Sequence, residues 1–188
     1  MNKAVFLDRD GTINVEKHYL HKTEDFEFLP NAIDGLRLLR DAGYLLVIVT
    51  NQSGIGRGYY TEKDFHVLNN WMLEILRRQN VEISKVYFCP HLPDAQIEKY
   101  RVDCGCRKPK LGMYQQAIAD LDLDINLSFA VGDKIRDCAI CQQTNCKGFL
   151  IAENEKPEII TQVKNGEMAH VRYAYNLYES AKIIVNSK

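Results

Sequence analysis

Apolar positions in this chain fall in short runs that break off at polar clusters. Val5-Phe6-Leu7 stops at Asp8-Arg9-Asp10-Gly11-Thr12. A buried strand of a parallel sheet ends where its apolar run ends, so a strand is predicted over about residues 3–8. Residues 12–30 lack sustained periodicity and carry His18, Tyr19, His21, Asp25 and Pro30, which reads as a flap, because loops of that length are usually functional. From Asn31 the spacing of Ile33, Leu36, Leu38 and Leu39 is helical, with Asn31 as cap and Gly43 as stop. Tyr44 to Val49 reads as a second strand, delivering Thr50-Asn51-Gln52-Ser53-Gly54. A helix opens at Thr61 or Asp64 and reaches about Gln79, its stripe formed by Phe65, Leu68, Trp71, Met72 and Ile75.

The second half continues the alternation. Lys85 to Phe88 is a third strand running into Cys89, residues 89–110 are an irregular insertion, and Met113 to about Leu121 is a helix that starts beside Lys108. Leu127 to Val131 is a fourth strand ending in Gly132-Asp133-Lys134. A helix over about 135–145 and a fifth strand at Gly148 to Ile151 follow. The last thirty or so residues mix charge with Val171, Tyr173, Leu177, Tyr178 and Ile183, and a closing helix on the sheet edge is expected. Strands alternating with helices, each connection long enough for a right-handed crossover, predict an α/β, Rossmann-like, doubly wound parallel sheet. At 188 residues one such domain, 1–188, is expected.

In that architecture ligands bind beyond the carboxyl ends of the strands. Asp8 and Asp10, Thr50 and Asn51, and Asp133 then converge on one rim from three strand ends, with Lys108 opening a helix beside them. Each residue alone has an ordinary reading: an Asp-Gly turn, a strand-end threonine, a solvated lysine. Their convergence favours a shared site. Alternation of an extended segment places the Asp8 and Asp10 carboxylates on one face and turns Arg9 away. Asp8, Asp10 and Asp133 form an oxygen-only set without histidine, suited to Mg2+. Asp137 either joins them or is a helix N-terminal acid. The chemistry that fits is nucleophilic attack on phosphorus by Asp8, charge neutralisation by Thr50 and Lys108, and proton transfer by Asp10.

Composition narrows the setting. A net charge of −1 gives no global field for nucleic acid or anionic membrane. The start leaves no room for a signal peptide and no run is long enough to span a bilayer, so a cytoplasmic protein is expected. Six cysteines in that setting read as ligands or buried thiols. Cys89, His91, Cys104 and Cys106 form a closed Cys3His set for structural Zn2+, with unliganded thiols as the alternative. Cys138, Cys141 and Cys146 read as small buried residues.

These motifs resemble the haloacid dehalogenase superfamily of phosphohydrolases: Asp8-Arg9-Asp10-Gly11-Thr12, Thr50 after Val49, Lys108 in Arg107-Lys108-Pro109, and Gly132-Asp133-Lys134 with Asp137. The four cysteine and histidine positions resemble a narrower, zinc-bearing, nearly capless branch that acts on heptose bisphosphates and histidinol phosphate, over about residues 3–150. Two positions depart from it: Leu111 replaces a second proline, and Cys138, Cys141 and Gln142 replace alanines. The resemblance implies Asp8 as nucleophile, Asp10 as proton donor and acceptor, Thr50 and Lys108 as phosphoryl stabilisers, and Mg2+ on Asp8, Asp10 and Asp133. It further implies sugar recognition by Glu16, Lys17, His18, Tyr19, Asn51, Gln52, Ser53, Arg107 and Lys134.

Asn51 to Gly58 and Gly132-Asp133-Lys134 look more like the heptose-bisphosphate members, which implies removal of the C7 phosphate. Arg57, Arg107, Lys110 and Lys134 also supply more cations than one transferred phosphate requires. Histidinol phosphate remains the alternative, with Glu16 for its amine. A phospho-accepting receiver or a non-catalytic phosphate-binding module are readings of another class. A small-molecule sugar phosphate as partner and a monomeric state are expected.

Overall fold

The computed structural model describes residues 1–151 and 155–187. Its strands are β1 (Ala4–Leu7), β2 (Leu45–Asn51), β3 (Lys85–Cys89), β4 (Phe129–Gly132), β5 (Lys147–Ile151) and β6 (Val171–Ala174). They form one sheet, ordered β3-β2-β1-β4-β5-β6, and every neighbouring pair is parallel. The helices are α1 (Ala32–Asp41), α2 (Ser53–Gly56), α3 (Glu62–Arg78), α4 (Gly112–Leu121), α5 (Pro157–Lys164) and α6 (Leu177–Asn186).

Period-2 alternation divides the core between the two faces of the sheet. Val5 and Leu7 of β1 and Leu46 and Ile48 of β2 pack with Leu36 and Leu39 of α1, Met72 and Leu76 of α3 and Ala181 and Ile184 of α6. Ala4, Phe6, Val47 and Val49 face the other way, onto Met113, Tyr114 and Ala117 of α4 and Val163 of α5. The expected doubly wound sheet is therefore present. Cys138, Cys141 and Cys146 lie fully buried on this second face. Register sets the rim: Leu7 is level with Ile48 and with Val131, so Asp8, Asp133 and Thr50, near the end of β2, fall at one end of the sheet.

Several local expectations need correction. Asn31 does precede α1, but it sits at φ 60° and its side chain makes no capping bond; asparagine serves here because it tolerates the left-handed region. Thr61 and Asp64 form a reciprocal capping box at the start of α3. The expected helix over 135–145 is a 3-10 segment, Ile135–Gln142, broken at Cys138. Its tighter winding follows the Asp137 carboxylate, which reaches back to accept the Lys134 N–H at 2.9 Å. The sheet edge is occupied by β6 rather than by the last helix. α6 instead crosses the face of the sheet against α1, and a Cβ at Gly35 would come within 3.1 Å of the Tyr178 Cα.

Candidate active site

β1 ends at Leu7, so its alternation does not continue through the acids. Asp8 is 8% exposed and Arg9 is 1% exposed; the arginine turns back rather than away. Its Nη2 lies 2.9 Å from Asp10 Oδ2. Asn14 Nδ2 donates to Asp10 Oδ1 at 2.9 Å and Gln52 Nε2 to Asp10 Oδ2 at 3.0 Å. Asp10 is thus held by three side chains at the cleft edge, its own side chain 16% exposed.

Lys108 is the cation of the inner site. Its Nζ lies 3.0 Å from Asp8 Oδ1 and 2.7 Å from Asp137 Oδ1, and it donates to the Val49 carbonyl at 2.6 Å. Burial alone would lower its proton affinity, but Asp137 and Asp8 outweigh that and hold it above the usual lysine value. Asn51 fixes the Lys108 backbone from β2, accepting the Lys108 N–H at 3.0 Å and donating to its carbonyl at 3.1 Å. Burial pushes the Asp8 carboxyl from 3.8 to about 6, against the opposing pull of Lys108, with the neighbouring Asp137 and Asp10 adding to the rise.

One carboxylate oxygen from each of Asp8, Asp133 and Asp137 falls within 4.8 Å of the others, a donor set that fits a hard divalent cation. Lys108 pairs with two of the three, Asp8 and Asp137, and Asp137 also accepts the Lys134 N–H. The Asp10 carboxylate, expected to be a magnesium ligand, is not in this cluster, since Arg9, Asn14 and Gln52 hold it. Gly11 permits the convergence. It stands at φ +80°, and a Cβ there would come within 2.4 Å of Asp133 Oδ2.

Beside the acids opens a cleft of about 400 Å3 lined by Asp10, Glu16, His18, Tyr19, Asn51, Gln52, Ser53, Asp133 and Lys134, joined by Leu20, Tyr60 and Arg136. Seven of the nine expected substrate residues therefore meet at one opening. Lys17 lies outside that lining and pairs with Glu27 at 3.1 Å, while Arg107 stands on the cysteine-bearing loop and donates to the His91 carbonyl at 3.4 Å. Two lining residues differ from expectation: Asn51 is committed to Lys108, and Gln52 is only 2% exposed. Asn14, Tyr60 and Arg136 were absent from the sequence reading, and Arg9 was expected to point away. Arg136 stands one residue before Asp137, a signal within reach of the motif, whereas no sequence period announces Arg9 folding back.

The cysteine loop gathers as its spacing requires. Cys89 Sγ is 3.4 Å from Cys104 Sγ and 3.0 Å from Cys106 Sγ, and Cys104 and Cys106 are 3.1 Å apart. His91 Nδ1 lies 3.4 Å from Cys106 Sγ and 3.6 Å from Cys89 Sγ. These atoms make a compact tetrahedron; a zinc with bonds of about 2.3 Å would open its S···S edges to about 3.8 Å. All six cysteines are free thiols. Burial tends to raise Cys104, yet hydrogen bonds from Cys106 and Cys89 overcome it and bring the thiol down to about 6, while burial lifts Cys89. One ready thiolate beside two protonated neighbours suits a set that loses its remaining protons to a metal.

The family model of polynucleotide kinase 3 phosphatase matches residues 3–165. A D-glycero-beta-D-manno-heptose-1,7-bisphosphate 7-phosphatase of Haemophilus influenzae is 50% identical over 157 residues, 84% of this chain and 85% of that one. A D-glycero-alpha-D-manno-heptose-1,7-bisphosphate 7-phosphatase of Photorhabdus laumondii is 48% identical over 135 residues, 72% of this chain and 74% of that one. Among solved structures, the D,D-heptose 1,7-bisphosphate phosphatase of B. bronchiseptica, complexed with magnesium and phosphate, superposes with a TM-score of 0.80 at 27% identity, covering 99% of each chain.

Proposed function

From the premise that the chain belongs to the polynucleotide kinase 3 phosphatase family of haloacid dehalogenase-type phosphatases, we propose that it removes the C7 phosphate of D-glycero-D-manno-heptose 1,7-bisphosphate. The observation that carries the reading is the buried Lys108 ammonium between Asp8 and Asp137, with Asp133 and Thr50 on the same rim. A buried carboxylate so placed is a nucleophile with its counter-charge already in position. Asp8 attacks phosphorus, the bond from phosphorus to the C7 oxygen breaks, and a phospho-aspartate forms. Asp10 gives its proton to the leaving alkoxide and then takes one from the water that cleaves the acyl phosphate. Lys108 and the Thr50 hydroxyl hold the transferring oxygens. Asp8 and Asp133 would hold magnesium, which would supply positive charge to the Asp8 carboxylate and to the non-bridging oxygens.

A bisphosphate needs a second cationic site. Arg107 has its proton affinity lowered by burial and by the adjacent Arg136 and Arg57 cations, a cluster of like charges that a dianion would relieve. Lys134 of the cleft lining adds to it. Glu16, the acid that an amine substrate would use, instead accepts the His18 N–H at 2.8 Å and orders the flap. His18 and Tyr19 both hold left-handed backbone there. Zinc on the tetrad of Cys89, His91, Cys104 and Cys106 would fix the loop that carries Arg107 and Lys108. Thiols kept reduced for that purpose imply a cytoplasmic setting.

The test compares kcat/KM for both anomers of the heptose bisphosphate and for histidinol phosphate, with Mg2+. A preference for either heptose anomer supports the reading. A preference for histidinol phosphate replaces it, and one equivalent of stable acyl phosphate without turnover points to a receiver.

A further inference from the structure

Gln52 belongs to the cleft lining but is only 2% exposed, and its amide is fully engaged. Nε2 donates to Asp10 Oδ2 at 3.0 Å and to Thr50 Oγ1 at 3.0 Å. Oε1 accepts from the Tyr60 hydroxyl at 2.6 Å and from Arg9 Nη2 at 3.4 Å. A guanidinium has donors only, and Arg9 therefore determines the direction of the amide. Turned over, the amide would set its NH2 against the Arg9 donors, and that contact would be repulsive. With the NH2 directed at Thr50, the Thr50 hydroxyl is an acceptor toward Gln52, and its single proton is left for another partner. Arg9 is itself fixed, 1% exposed and with its guanidinium carbon 5.4 Å above the centre of the Phe65 ring.

We infer that Gln52 is a positioning residue: held in one direction by Arg9 and Tyr60, it reserves the Thr50 hydroxyl proton for the phosphoryl oxygens and holds the Asp10 carboxylate at the leaving-group side. This rests on the phosphatase reading above. It assigns Gln52 a place behind the chemistry instead of a contact with the sugar, and it gives Tyr60 a function through the hydrogen bond it donates to Gln52.

The experiment uses the full chain with Mg2+ and two substrates. One is the heptose bisphosphate, whose alkoxide leaving group needs a proton; the other is p-nitrophenyl phosphate, whose phenolate does not. Gln52→Met keeps the length and removes every donor. It is expected to lower kcat on the bisphosphate by about 10- to 100-fold, the range a small misplacement costs, with KM changed by less than about twofold. The loss on p-nitrophenyl phosphate should be smaller, and a Thr50→Val background should reduce it further on that substrate, to the share that acts through Asp10 on the hydrolytic water. A raised KM with unchanged kcat would place Gln52 on the substrate, and an undiminished loss in the Thr50→Val background would make its role merely structural; either overturns the inference. Tyr60→Phe, which keeps the ring packing, should show the same pattern more weakly and covers the case in which Gln52→Met does not fold. A readout independent of turnover is hydrogen exchange of the Gln52 side-chain NH2 by NMR. Slow exchange is expected, and faster exchange in Tyr60→Phe. Fast exchange in an otherwise active wild-type enzyme refutes this inference alone, whereas a wild-type chain that releases no phosphate refutes the phosphatase reading.

Discussion

Replacing Asp8 by asparagine separates the charge of that carboxyl from its shape. In the folded chain the carboxyl keeps its proton up to about pH 6, whereas its ordinary value is 3.8. The native state therefore binds more protons than the unfolded chain between those values, and stability falls as pH rises through that window. The full cost persists at neutral pH. From 3.8 to about 6 corresponds to about 3 kcal/mol, which for a chain of this length is a shift in Tm of about 6–12 °C. An asparagine in its place carries no such cost, and Lys108 keeps Asp137 and the Val49 carbonyl as partners. Metal-free Asp8→Asn should thus melt higher than metal-free wild type at pH 7.5, by up to that amount, and the gap should close toward pH 4. Magnesium should raise the wild type more at pH 7.5 than at pH 5 and should do little for the variant. Differential scanning calorimetry of both proteins, with and without Mg2+, measures all three effects. A variant less stable than wild type at pH 7.5, with a gap indifferent to pH, would refute the claim that Asp8 is buried at an electrostatic cost that the cation removes.

The same Asp8→Asn variant should release no phosphate from the bisphosphate while retaining its far-UV circular dichroism; measurable turnover would remove Asp8 as nucleophile. Lys108→Met leaves two buried acids without their cation and should cost about 3 kcal/mol at neutral pH, less below pH 6 where Asp8 takes up a proton, as urea titration at the two pH values will show. Chain purified without chelator should carry about one zinc by elemental analysis, and Cys106→Ser should lose it together with most of kcat. A folded, active and zinc-free wild type would eliminate the metal.

Much of this architecture was readable because its central strands are continuous apolar runs. Val5-Phe6-Leu7 and Leu45 to Val49 sit between neighbours on both sides, so every position is selected for burial. At the edge that pressure is halved. Among the described residues Val171-Arg172-Tyr173-Ala174 pairs only with β5, and four residues with an exposed arginine carry too short an alternation to distinguish a strand from its charged surroundings. α5 is hidden for a similar reason, since only Val163 of its eight residues is buried.

The site shows the same division. Residues whose positions depend on strand ends or ligand spacing, such as Thr50, Asp133 and the cysteine tetrad, came together as their spacing implied. Residues whose positions depend on how a loop closes did not. Arg9 was expected to follow strand alternation, but the strand had already ended at Leu7, and a buried guanidinium goes where its acceptors are. Lys17 found Glu27, a partner ten residues along a loop that has no period to read.

The missing side chain at position 11 has a consequence for how this site can vary. Gly11 and Asp133 follow separate strands, β1 and β4, and the space between them is smaller than a methyl group. The position of the Asp133 carboxylate is therefore set by backbone meeting carboxylate, with no adjustable side chain in between. Polarity cannot rescue a substitution there, because every alternative residue begins with the same carbon. Redesign of this enzyme for a larger ion or a bulkier acceptor would have to begin at the flap or at the arginines, where side chains still have room to change.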